Sequence, residues 1–231
     1  LKTYSRGMGD IELPGDCDDG EDDPAYVAFF EWVQQEAVAI LQNREIPVTQ
    51  RMREFLAWCD RVQTIVNYSQ AKDDTAILVR WRDEDADRFE IFLDMEELDE
   101  EWINTKAEFE KLYQEDTYEK VLLEYLNSSD YSELGYEHLL VYFVYRYLMN
   151  AVYDFDILSY AKMIVVATLV VRDMDAARYQ RNGGRFTMFD RIDVARIFSK
   201  EVEHSEGNAE ELKEMCMMEE IARVDALCRQ I

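Results

Sequence analysis

The sequence predicts an all-α fold, a single irregular helical domain of about eight helices built from antiparallel helix hairpins. Three observations carry that expectation. Apolar residues recur at spacings of three and four over most of the chain, the period of a helix with one buried face. Only 8 Gly and 3 Pro occur in 231 residues, too few for a turn-rich β-sandwich. The apolar fraction is 48%, with 13% aromatics, which is enough for a sizeable core and too much for a disordered chain.

Residues 1–23 read as an acidic lead-in and 24–231 as the helical domain, with a candidate sub-boundary near 127–132. The lead-in ends in Asp16-Cys17-Asp18-Asp19-Gly20-Glu21-Asp22-Asp23. Counted from Asp16, position six is Glu21 and position twelve is Val27, so the Gly and Glu of an EF-hand loop are missing. A first helix opens with Asp23 as cap and Pro24 in the first turn. Val27, Phe30, Val33, Ala37, Ile40 and Leu41 form its apolar stripe. Pro47 breaks the chain, and a second helix follows with Thr49 as cap and a stripe of Met52, Phe55, Leu56, Cys59, Val62 and Val66. The short connection makes the two an antiparallel hairpin.

Residues 73–82 stay open between strand and helix, because Ile77-Leu78-Val79 suits either. Asp83 to Glu101 holds eleven acids and one base, Arg88, and reads as the wet face of a loop and helix. Helical spacing returns at Trp102, Phe109 and Leu112, and again at Tyr118, Val121, Leu122 and Tyr125. Residues 136–153 and 156–172 are apolar most of the way round, as buried central helices are. The run Ile164-Val165-Val166 adds some strand character. Asn182-Gly183-Gly184 breaks the pattern, and helices over about 187–204 and 208–229 close the chain.

Charge narrows the function. Fifty acids against 25 bases give a net charge of −25, which disfavours nucleic acid and anionic membrane surfaces as partners. The longest apolar run, Met163 to Val171, is far short of the roughly 20 residues a bilayer span needs. Cys17, Cys59, Cys216 and Cys228 include no CxxC pair, so no zinc or redox motif is expected, and scattered thiols suit a reducing, cytoplasmic compartment. The first residues lack a signal-peptide core and an initiating Met, as expected of a chain that begins inside a longer protein.

GxGxxG, P-loop, GxSxG and HExxH patterns are missing. His138 heads an apolar helix and reads as packed or capping. His204 lies among acids, where an imidazole can act as a base or can satisfy helix-end carbonyls. Arg172, Arg178, Arg181, Arg185, Arg191 and Arg196 face Asp173, Asp175, Asp190 and Asp193. That segment can bind an anionic group or pair internally.

Four stretches, in matching order, resemble the bacterial flagellin lysine N-methylase (FliB-type) family. Ala39 to Val48 with Arg51 resembles its LQNRE-P hairpin, and Tyr136 to Tyr147 is similar to its FENYLVYxLFR helix. Ile197 to Asn208 resembles its SRxxEHSxxN signature, and Tyr4-Ser5-Arg6 its YPR. The resemblance implies S-adenosylmethionine-dependent methylation of lysine on flagellin. It also implies an iron–sulfur cluster on neighbouring N-terminal cysteines that this chain lacks, so the chain corresponds to the C-terminal portion. On that footing Glu203 and His204 are the candidate catalytic residues. Asn43, Arg44, Glu45, Ser205 and Asn208 are candidates for substrate contact or its polar network. No metal ligands are expected here, and the methyl donor's binding residues stay unassigned. Caps and inter-helix hydrogen bonds are the structural reading of the same residues. The alternative function is a non-catalytic acidic helical domain that binds a basic protein.

Overall fold

The computed structural model describes residues 24–70, 95, 99–114, 117–217 and 224–231. Within them the all-α expectation holds, and no strand occurs. The lead-in, Asp23, Cys17, the segment 73–82 and most of the acidic run 83–101 lie outside the described residues. No described helix is long and apolar enough to cross a membrane.

The helices are α1 (Pro24–Leu41), α2 (Val48–Gln70), α3 (Glu100–Gln114), α4 (Tyr118–Leu126) and α5 (Glu133–Tyr147). After a 3-10 turn at Leu148–Asn150 come α6 (Ala151–Asp154), α7 (Ile157–Arg181) and α8 (Met188–Phe198). A π turn, Ser199–Glu203, precedes α9 (Glu206–Met217), and α10 (Val224–Gln230) ends the chain. The fold forms two compact units that interleave in sequence. Unit 1 takes 1–82, 137–164 and 224–231, and unit 2 takes 83–136 and 165–223.

Unit 1 is built on the α1–α2 hairpin. The α2 stripe expected from spacing is buried at every position from Met52 to Val66. On α1 the buried face is rotated slightly. Tyr26 and Phe29 are buried beside Phe30, Val33, Ala37 and Leu41, whereas Val27 and Ile40 are only half-buried. The reason is aromatic packing. Phe29 meets Phe30 edge-on, and Tyr26 meets Phe155 edge-on at 5.4 Å. Phe155 takes a left-handed φ of 59°, a strained state for a large side chain, between α6 and α7. Contacts with Tyr26 and Phe30 hold it there. The start of α2 also differs from expectation. Helix begins at Val48, and the Pro47 carbonyl accepts from the Arg51 amide at 3.0 Å. Pro47, not Thr49, therefore occupies the cap position.

In unit 2, α7 is the central element. Nearly every residue from Ser159 to Arg178 is buried, on all sides of the helix, and the Ile164-Val165-Val166 run is helical. Burial of a whole helix circumference overrides the β preference of branched side chains. The helix stops in a Schellman motif. The Gly184 amide donates to Tyr179 and the Gly183 amide to Gln180, both at 3.0 Å. Gly183 has φ +68° with open space around it. Thr187 then caps α8 in a reciprocal box with Asp190. The helix expected over 187–204 is continuous, α8 passing at Phe198 into the π-helical segment Ser199–Glu203.

Gly183→Ala adds no clash, so its cost is the backbone's alone. We expect about 1–2 kcal/mol of lost stability by urea unfolding, and a much smaller loss for Gly183→Asn.

Candidate functional site

In unit 1 the polar cluster is centred on Glu137, which is 1% exposed. Arg44 donates from Nε and Nη2 to both of its carboxylate oxygens, at 2.7–3.2 Å. Arg51, also buried, donates from Nη1 to Glu137 Oε2 at 2.7 Å and to the Leu41 carbonyl at 3.1 Å. One buried carboxylate thus ties the end of α1, the connecting turn and α2 to α5. The two guanidinium groups hold Glu137 below the usual carboxylate range, Arg44's hydrogen bonds most of all. Asn43 Oδ1 accepts from the Glu45 amide at 3.3 Å, an Asx turn. Asn43, Arg44 and Glu45 are exposed. Asn43 and Arg44 shape the hairpin turn.

In unit 2 the second set follows the π turn. The wider turn carries the His204 amide to the Ser199 carbonyl at 3.0 Å. Ser205 Oγ accepts from the Asn208 amide at 3.2 Å, which caps α9. Asn208 is fully buried, and its Nδ2 donates to the Glu201 carbonyl at 2.8 Å, inside the π turn. Ser205 and Asn208 therefore fix the corner. Glu203 is half-buried at the end of the turn, and His204 is exposed beside it. The other histidine, His138, is exposed on α5, not packed or capping as its position suggested.

A third cluster escaped the sequence reading of single motifs. It lies in unit 2 around Asp175 on α7, which is 0% exposed. Tyr136 donates to Asp175 Oδ2 at 2.7 Å, and the Arg191 guanidinium stands 2.7 Å from the same oxygen. Arg191 Nη2 donates to the Tyr125 hydroxyl at 2.9 Å, and that hydroxyl lies 3.1 Å from Tyr136. The guanidinium carbon sits 4.2 Å from the Tyr136 ring centroid and 5.4 Å from that of Phe186. Nearby on α7, Asp173 accepts from Tyr118, and Arg178 donates to Asp193 at 2.9 Å. Arg181 pairs with Glu108, Arg185 with Asp130, and Arg196 with Glu101 and Asp193. The arginine-rich segment is thus internally paired. The signal available in the sequence was Asp173 and Asp175 inside a helix apolar on all sides.

Burial pushes the Asp175 carboxyl up to about 7, against the opposing pull of Arg191, Tyr136 and Arg178. Tyr136 and Tyr125 are raised by the same desolvation. Folded protein therefore holds the Asp175 proton more tightly than unfolded chain does. Its contribution to stability falls as pH rises from 3.8 through about 7 and is flat above. Glu137 works in the other direction. Its stabilisation is present above the ordinary value of 4.5 and is lost as pH falls below it.

The described cysteines do not suit an iron–sulfur cluster. Cys59 and Cys216 are buried and in no disulfide, and burial raises the thiols of Cys59 and Cys228 away from the thiolate form a cluster needs. Among the described residues no group of three or more His, Cys, Asp or Glu could hold a metal. A groove of 320 Å³ on the α1–α2 hairpin is lined by Glu36, Ile40, Glu54, Ala57, Trp58 and Arg61.

Two measurements follow. Glu137→Ala leaves the buried Arg51 without its carboxylate and should cost about 3–5 kcal/mol in urea unfolding. Arg44→Ala, at an exposed guanidinium, should cost under about 1 kcal/mol. Asp175→Asn should remove the fall in stability between pH 3.8 and about 7, read from urea unfolding at a series of pH values.

Comparison with curated proteins and with solved structures gave no match. Comparison with protein families gave one that spans both compact units: the FliB lysine N-methylase C-terminal domain, over residues 34–229. This stretch contains the Glu137 clamp, the π-turn corner and the Asp175 cluster, and so the chain belongs to the FliB lysine N-methylase C-terminal domain family.

Proposed function

We propose that this chain is the C-terminal region of an S-adenosylmethionine-dependent protein-lysine N-methyltransferase that acts on flagellin in the cytoplasm. The observation that carries the reading is the family match over 34–229. When bound, S-adenosylmethionine supplies an electrophilic methyl group, and the full-length protein's cysteine region supplies the iron–sulfur site. This chain's residues handle the lysine. A lysine ε-ammonium must lose its proton before it can attack, and carboxylates attract it while a dry wall lowers its pKa. The net charge of −25 favours such a cationic side chain. Glu203 and His204 are the pair we assign to the proton. The turn leaves His204 exposed with Glu203 beside it, and an imidazole nitrogen can serve as a general base. Ser205 and Asn208 position that corner, and the hydrogen bonds of Asn43 and Arg44 support a role in the hairpin.

The acid excess also favours a second reading, an acidic helical domain that grips a basic protein without catalysis. The full-length protein, purified without oxygen and given flagellin and labelled S-adenosylmethionine, separates the two. Lysine methylation is expected, reduced at least about 100-fold in Glu203→Ala/His204→Ala with unchanged helicity. Full activity in that variant overturns the site assignment. Flagellin binding without methyl transfer overturns the methylase reading in favour of the second.

A further inference from the structure

The Asp175 cluster has the composition of a site for an organic cation, and a cation occupies it. Tyr136 and Phe186 present ring faces to the Arg191 guanidinium, Tyr125 accepts a hydrogen bond from it, and Asp175 supplies the counter-charge. Aromatic faces with one carboxylate are the donor set that holds alkylammonium groups. The resident arginine fits this set poorly. A guanidinium facing a carboxylate normally makes two parallel hydrogen bonds, one to each oxygen. Here only Oδ2 is approached, and Arg191 Nη1, though 2.7 Å away, is not aligned to donate to it. Asp175 Oδ1 is fully buried and accepts no hydrogen bond among the described residues. A buried carboxylate oxygen left without a donor is costly.

We propose that this cage is a binding site for the ε-ammonium of a lysine side chain, with Arg191 as the resident cation that the incoming group displaces. An ammonium is compact and carries three donors, so it can serve both carboxylate oxygens where the planar fork serves one. Exchange of one cation for another keeps the buried carboxylate neutralised throughout. The geometry also leaves Arg191 a way out. It projects from α8 with its side chain 14% exposed, and Gly135 on α5 faces it. A Cβ at Gly135 would stand 3.5 Å from the guanidinium carbon, so only a glycine's backbone, with no side chain, lies against that flank.

The inference rests on the methylase reading only for which protein carries the lysine. Its test needs no methyl donor. The full chain is titrated calorimetrically with n-butylammonium chloride, with sodium chloride as control. Arg191→Ala is expected to bind saturably, wild type at least about tenfold more weakly, and Arg191→Ala/Asp175→Asn not at all. A folded Arg191→Ala without saturable heat overturns the proposal. Should Arg191→Ala be destabilised, n-butylammonium should raise its Tm above the sodium control by mass action, and no rise overturns it. A third readout uses Arg191→Lys, whose introduced amine should be acetylated at least about tenfold more slowly than Lys120, which is 78% exposed. Equal rates overturn the proposal. Loss of methyl transfer in the full-length protein would count against the methylase reading alone.

Discussion

Burying charged side chains on a helix that has no wet face is the constraint on which unit 2 depends. Along α7, Arg172, Asp173, Asp175 and Arg178 are all at least nine-tenths buried. Each would cost several kcal/mol alone, so each dictates what stands opposite. Asp173 requires the Tyr118 hydroxyl of α4. Asp175 requires Tyr136 of α5 and Arg191 of α8. Arg178 requires Asp193, also of α8. Apolar packing alone would let α4, α5 and α8 slide on α7. These pairings fix one register, because any slip strands a charge in the core.

The family-like motifs gain a physical meaning from the same logic. Tyr136 and Glu137 are successive residues of α5, and each serves a different unit. Tyr136 closes the Asp175 cluster, and Glu137 closes the clamp of Arg44 and Arg51. In the Ile197–Asn208 stretch, the π segment extends α8, Ser205 caps the next helix and Asn208 ties that helix back to the π segment. Ser205 and Asn208 are scaffold residues of that stretch, because their hydrogen bonds cap α9 and tie it to the π turn.

Much of the fold was legible because helical periodicity records burial directly. The stripe on α2 and the all-round apolarity of α7 were read in this way, and both are buried as spacing implied. Boundaries were less legible. A backbone carbonyl at Pro47 did the work expected of Thr49, and the π turn is marked by ties within ten residues, His204 to Ser199 and Asn208 to Glu201, that apolar spacing does not encode. The site was legible only in part. Arg191 and Asp175 were visible as charges in one mixed segment, but the partners Tyr125 and Tyr136 lie about 40–65 residues away in sequence. Periodicity treats those tyrosines as core, and nothing local marks their hydroxyls as paired.

Arg191 reports on the central claim more directly than any other residue. In 15N-edited NMR of the full chain, its Nη2 protons, which bond Tyr125, should be protected from exchange, and its guanidinium should carry ring-current shifts from Tyr136, 4.2 Å away. Both features should disappear in Asp175→Ala. An Arg191 signal with exposed-arginine shifts and fast exchange in the wild-type protein would contradict the account, because α8 would then be held without the buried charge pair.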